Sequence, residues 1–135
     1  GGADALLQMT VDYLQTRRQF GRPLALFQAL KHRCADLKAQ VTAAEALLAD
    51  GLNRAGEALD SAATATLARG AKSYACATFA RVAEEALQLH GGIGMTAEHA
   101  CHLFLKRALL NEQLGHDAER DALAIADAFL AGIAA

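Results

Sequence analysis

Proline occurs once in this chain and tryptophan not at all, and the only other aromatics are two tyrosines and five phenylalanines. A single proline leaves room for long uninterrupted helices, and so few aromatics exclude a base-stacking platform for nucleic acid. No lysine-arginine run exceeds two residues and the formal charge is −2, so nothing draws the chain to a polyanion or an acidic membrane surface. No apolar run reaches bilayer-spanning length. Gly1-Gly2-Ala3-Asp4 has neither the basic nor the apolar region of a signal peptide, so none is expected. Cys34, Cys76 and Cys101 are odd in number, far apart and without a C-x-x-C pair, which indicates neither a disulfide framework nor a zinc site. They are expected as small core residues of a reduced, cytoplasmic protein that binds no nucleic acid, membrane or metal.

What is present is alanine and leucine, in a chain whose 53 % hydrophobic content is enough for one domain over residues 1–135 with a core of its own. Residues 3–17 predict a short helix, with Ala5, Leu6, Met9 and Tyr13 at helical spacing, which the chain is expected to enter part-way along as a piece of a larger protein. Arg17-Arg18-Gln19-Phe20-Gly21-Arg22-Pro23 then reads as a tight corner, with Gly21 beyond one helix end and Pro23 in the first turn of the next. Leu24, Phe27, Leu30, Cys34, Leu37, Val41, Ala44 and Leu48 recur at three and four residues and predict a long amphipathic helix, broken by Asp50 to Gly56. A second long helix is expected over Leu59–Leu89, a further one over Thr96–Leu114, and a last one carrying Ala122, Ile125, Ala126, Phe129 and Ile133 on one stripe. No β pattern appears. The fold class is therefore all-α, an antiparallel up-and-down bundle of four principal helices with short flanking helices.

Glycine concentrates in Gln88-Leu89-His90-Gly91-Gly92-Ile93-Gly94, between two helical segments. Missing Cβ atoms let backbone approach a ligand, and Thr96 is placed to cap a following helix whose bare N–H groups face an anion. Glu98 in that first turn would repel a phosphate, so locally the stretch is a poor phosphate cradle. A plain helix connector fits as well. His90 reads as a loop histidine satisfied by backbone.

Two stretches read together carry more. Arg17 to Leu24 with Phe27-Gln28 follows the pattern R-x-x-F-G-x-P/L with F-Q, and Gln88 to Gly94 with Glu98 follows Q-x-x-G-G-x-G with an acidic residue four positions on. In that order they resemble the C-terminal helical domain of the flavin-dependent acyl-CoA dehydrogenases, over essentially the whole chain. The resemblance implies flavin adenine dinucleotide (FAD) as cofactor, held between domains and across a subunit interface. Arg17 would reach its diphosphate, where a planar, permanently charged fork suits the task. Phe20 and Gln28 would line the same corner, and Gln88, Gly91 and Gly92 would meet the adenosine side of the same flavin, which belongs to the neighbouring subunit. Implied partners are an acyl-CoA substrate, the neighbouring subunit of a homo- or hetero-oligomer, and an electron-transfer flavoprotein.

In that family a glutamate removes the proton α to the thioester carbonyl while hydride leaves the β carbon for the flavin. Many members carry it 27 positions beyond the glutamine, which here is Gly115, followed by His116-Asp117. The base is therefore expected upstream of Gly1, on a sister subunit of a hetero-oligomer, or at Glu112. His116 and Asp117 form either a proton-transfer pair or a cap with its neighbour. The isolated chain is expected to be inactive; the alternative is a non-catalytic interaction module that binds no flavin.

Overall fold

The computed structural model describes residues 1–115 and 118–133. The described residues form five α-helices, α1 (Gly2–Thr16), α2 (Gln28–Ala55), α3 (Ala62–His90), α4 (Cys101–Gln113) and α5 (Ala118–Ile133). The expected all-α bundle is observed, with α3 at its centre and packed against each of the other four. Alanine makes this possible, because small side chains on several faces of α3 let helices approach from more than one side. Val82, Ala83 and Ala86 of α3 meet Leu6 and Leu7 of α1, Leu37 and Val41 of α2, and Cys101 and Ala108 of α4 in one core. Each fully buried large apolar side chain there contributes about 1.5–3 kcal/mol. No helix among the described residues is long and apolar enough to cross a membrane.

Three helix boundaries that depart from the sequence pattern do so for a local reason. The α2 helix continues through Asp50 and Gly51 and breaks only at Gly56, whose φ is 51°. Gly51 stays helical on a face where a Cβ would lie 4.0 Å from Leu67 of α3, so packing offsets its low propensity. The α3 helix starts at Ala62 behind an N-cap, Ser61, whose Oγ accepts from the Thr64 N–H at 3.1 Å. The α4 helix begins at Cys101 and not at Thr96, because the Thr96 hydroxyl donates backwards to the Ile93 carbonyl at 2.8 Å. That bond closes the glycine turn instead of capping a helix.

The stripe of α5 also differs. Asp121 is its buried residue, 1 % exposed beside Lys72 (3.4 Å) and Arg69 (3.9 Å) of α3, which sets the rotation of the helix. Ile125 is half-buried, whereas Ala122, Ala126 and Phe129 face solvent. The side chain of Ile133 and the pair His116-Asp117 lie outside the described residues.

Candidate functional site

The corner is built differently from a simple helix-to-helix turn. Arg17 ends α1 with its N–H on the Tyr13 carbonyl at 2.8 Å, and its own carbonyl accepts from Leu24 at 2.9 Å. Between them lies a two-residue antiparallel ladder, Arg18–Gln19 against Arg22–Pro23, the strand pairing the sequence pattern missed. Pro23 therefore sits in the ladder ahead of a 3-10 turn, Leu24–Leu26, and not in the first turn of α2. Phe20 and Gly21 cross the tip with φ of 51° and 79°. Phe20 is the only non-glycine residue with positive φ among those described, and it is 87 % exposed. Its ring meets Phe27 edge-on at 6.1 Å, while the Arg22 guanidinium covers the Phe27 face at 4.0 Å. Gln28 opens α2 and is exposed.

At the end of α3, Gly91 adopts φ 63° and turns its N–H back onto the Leu87 and Gln88 carbonyls. Left-handed geometry of this kind favours glycine. Residues Gly91–Met95 then make a 3-10 turn in which Gly94 is buried. A Cβ on Gly94 would stand 3.0 Å from both the Leu87 carbonyl oxygen and His90 Cβ, so close packing selects glycine there. Gln88, Gly91 and Gly92 are exposed, with open space where Cβ atoms on the two glycines would be. Because α4 starts only at Cys101, Glu98 is not in its first turn, and the glycine turn does not feed a helix N-terminus directly.

Tyr13 brings the two motifs to one end of the bundle. Its ring stacks on His90 at 4.5 Å and 28°, and its hydroxyl donates to the His90 carbonyl at 3.3 Å. Since Tyr13 precedes Arg17 by one turn and His90 immediately precedes Gly91, this contact sets corner against glycine turn. His90 is 3 % exposed, and burial holds its pKa below the usual histidine value. Sequence reading placed Tyr13 only in a helical stripe and His90 only in a loop. Their pairing is long-range, and nothing local in the sequence announces it.

Residues 1–130 match the family model described as the acyl-CoA dehydrogenase C-terminal domain. The chain belongs to that family. It is 46 % identical over 114 residues to the acyl-CoA dehydrogenase IpdE2 of Mycobacterium tuberculosis (strain ATCC 25618 / H37Rv), covering 84 % of this chain and 33 % of that protein. Butyryl-CoA dehydrogenase of Megasphaera elsdenii superposes with a TM-score of 0.88 at 30 % identity, over 96 % of this chain and 33 % of that one. A variant of the Tcur3481-Tcur3483 steroid ACAD gives a TM-score of 0.90 at 30 % identity, over 100 % of this chain and 37 % of that one. The chain thus spans about a third of the length of the curated relatives it matches.

Within this acyl-CoA dehydrogenase domain, the position expected to hold the glutamate base is unfavourable to one. Gly115 has φ 81°, where any side chain is strained, and a Cβ would lie 3.9 Å from Lys72 Cε. Glu112 is half-buried in the last turn of α4. Burial first, and then the charges of Glu112 and Asp121, push the Cys76 thiol pKa up against the opposing effect of Lys72, which places Glu112 beside α3. Along α4 it lies about 16 Å from Cys101 and the glycine turn.

Proposed function

We propose that this chain is the flavin-holding C-terminal bundle of a larger acyl-CoA dehydrogenase that converts an acyl-CoA to its 2-enoyl-CoA. The observation that carries this reading is the state of the corner. Phe20 is held in a strained, left-handed conformation yet gives its ring to solvent, and strain of this kind persists at ligand clamps. Beside it Arg17 is exposed, and its guanidinium has no hydrogen-bond or ion-pair partner among the described residues.

The residues present fit FAD. Arg17 offers a charged donor fork for the diphosphate, Phe20 an apolar edge, and Gln28 an amide on the same corner. Gln88, with the bare backbone of Gly91 and Gly92, faces the adenosine side, and those glycines leave room for close approach. When bound, FAD supplies the acceptor for the hydride that leaves the acyl β carbon. The α-proton goes to a carboxylate, either one outside these residues, on the same polypeptide or on a sister subunit, or Glu112; the left-handed backbone at Gly115 speaks against a base at that position. Glu112 remains the candidate inside the chain.

Leu109, Leu110 and Leu114 of α4 and its end, with Leu123 and Leu130 of α5, are exposed apolar side chains that suit a neighbouring subunit of a homo- or hetero-oligomer. Electrons then pass to an electron-transfer flavoprotein. Full-length protein purified with FAD tests this: Arg17→Ala should lower flavin retention about 10-fold or more with helical circular dichroism unchanged, in line with the ~1.5–3 kcal/mol of a charge-assisted hydrogen bond. A wild-type protein that neither carries nor takes up flavin would leave the interaction module as the function. Unaltered turnover in Glu112→Gln would remove Glu112 as the base.

A further inference from the structure

We propose that His90, His99 and Cys101 form a binding site for one divalent transition-metal ion, zinc by donor set, that clamps the glycine turn to the start of α4. This departs from the sequence expectation of no metal site, which rested on cysteine spacing alone. The fold supplies what spacing could not. The turn Gly91–Met95 doubles back so that one ligand atom from each of the three residues lies within 4.8 Å of the others.

Each ligand is prepared in a different way. His90 Nδ1 is 2.8 Å from the Ala86 carbonyl, and since a carbonyl only accepts, the ring proton is on Nδ1. The lone pair is then on Nε2, buried and without a hydrogen-bond partner among the described residues. A ligating histidine is normally set up in this way, with its other nitrogen donating to backbone, and an unpartnered buried acceptor is otherwise destabilising. Stacked Tyr13 keeps the ring in place. Cys101 is 0 % exposed; its Sγ is 3.4 Å from His90 Nδ1, the protonated edge of the ring, and rotation of the thiol toward Nε2 would let the two share an ion. His99 is half-buried on the irregular segment before α4, its ring centroid 4.3 Å from that of His90. At present its Nδ1 accepts a long 3.3 Å bond from the Cys101 amide, which a turn of the ring would exchange for the ion.

Tetrahedral zinc with bonds of about 2.0–2.1 Å to nitrogen and 2.3 Å to sulfur holds its donors about 3.4–3.6 Å apart. Closing the cluster therefore takes inward movement, which half-exposed His99 and a turn of the Cys101 side chain toward Nε2 supply. Cys101 loses its S–H proton to solvent as the sulfur–metal bond forms, both imidazoles remain neutral, and a water completes the fourth position. One cysteine with two histidines favours zinc over calcium or magnesium, which need oxygen donors.

Metal-free chain titrated with Zn2+ and with Co2+ tests the site. One ion per chain should bind, and Co2+ should give the intense visible bands of a tetrahedral centre with a sulfur-to-metal charge-transfer band. His99→Ala should weaken binding by about 100-fold or more, since loss of an outer-shell partner alone costs 10–100-fold, and Cys101→Ser should abolish the charge-transfer band. His102→Ala and Cys76→Ser are controls that should bind like wild type. No saturable uptake, Co2+ without a sulfur band, or uptake undiminished in His99→Ala would overturn the proposal, and His90 Nε2 would then be met by water alone. The His99 variant and the wild-type Co2+ spectrum decide the matter even if Cys101→Ser does not fold.

Discussion

The two ends of this bundle leave different things unpartnered. At the corner end the packing is finished: Leu14 is 2 % exposed, Gly94 allows no Cβ, and Tyr13 is stacked and hydrogen-bonded on His90. What remains exposed there includes the polar and aromatic side chains of Arg17, Phe20, Gln28 and Gln88, with Leu26, Ile93 and Met95 among them. At the other end Leu52, Leu59, Phe129 and Leu130 are more than half exposed. An end that sets polar and aromatic groups among a few apolar ones suits a ligand; an end presenting only leucine and phenylalanine among its exposed large side chains suits more protein.

The largest expected effect separates the two ends by stability. Leu14→Ala removes a buried side chain under the corner and should cost about 2–5 kcal/mol, whereas Phe129→Ala, 67 % exposed, should stay within about 0.5 kcal/mol. Urea denaturation of the two variants measures both. A large loss in Phe129→Ala would mean that the far end is packed as tightly as the near one, and the contrast would be gone.

A smaller effect divides the glycine turn itself. Gly94→Ala pushes a methyl to 3.0 Å from a backbone carbonyl oxygen that cannot swing away, at a cost of about 1–3 kcal/mol. Gly92→Ala enters open space and has ordinary φ, so its cost should be under about 1 kcal/mol. Flavin retention should show the reverse order of interest: Gly92→Ala blocks close approach on the exposed face while hardly touching the fold. Equal stability losses in both variants would show that the turn is not held where Gly94 places it.

Much of this was legible in the sequence because it rests on periodicity. Spacings of three and four fixed the long helices, and the match of two motifs in order identified the family. What was not legible depends on contacts distant along the chain. Thr96 looks like a helix cap until its hydroxyl finds Ile93, and Gly51 looks like a break until Leu67 packs on it. Asp121 is not on the apolar stripe expected of α5, yet Lys72 and Arg69, 49 and 52 residues earlier, draw it inside. The local conflict over Glu98 disappeared for the same kind of reason, since the helix it was supposed to begin starts later, at Cys101. Site residues were named from motif position, and the structure adds their exposure; it also adds Tyr13 and His90, which no motif position singled out as partners.

The smallest predicted effect is the sharpest test of what the corner is for. Phe20 holds φ 51° without glycine's freedom, a conformation that costs about 1–2 kcal/mol for a residue with a Cβ. Its ring recovers little of this, being 87 % exposed with only an edge contact to Phe27. Phe20→Gly should therefore be neutral or stabilise the isolated chain by up to about 1 kcal/mol, read as an unchanged or raised denaturation midpoint. In the full-length protein the same substitution should lower flavin retention, because the strained aromatic edge is then missing from the site. A variant that gained stability and lost flavin would show strain kept for a ligand. If the midpoint fell instead, Phe20 would be anchoring the corner, and the near end would be shaped for its own packing like any other part of the bundle.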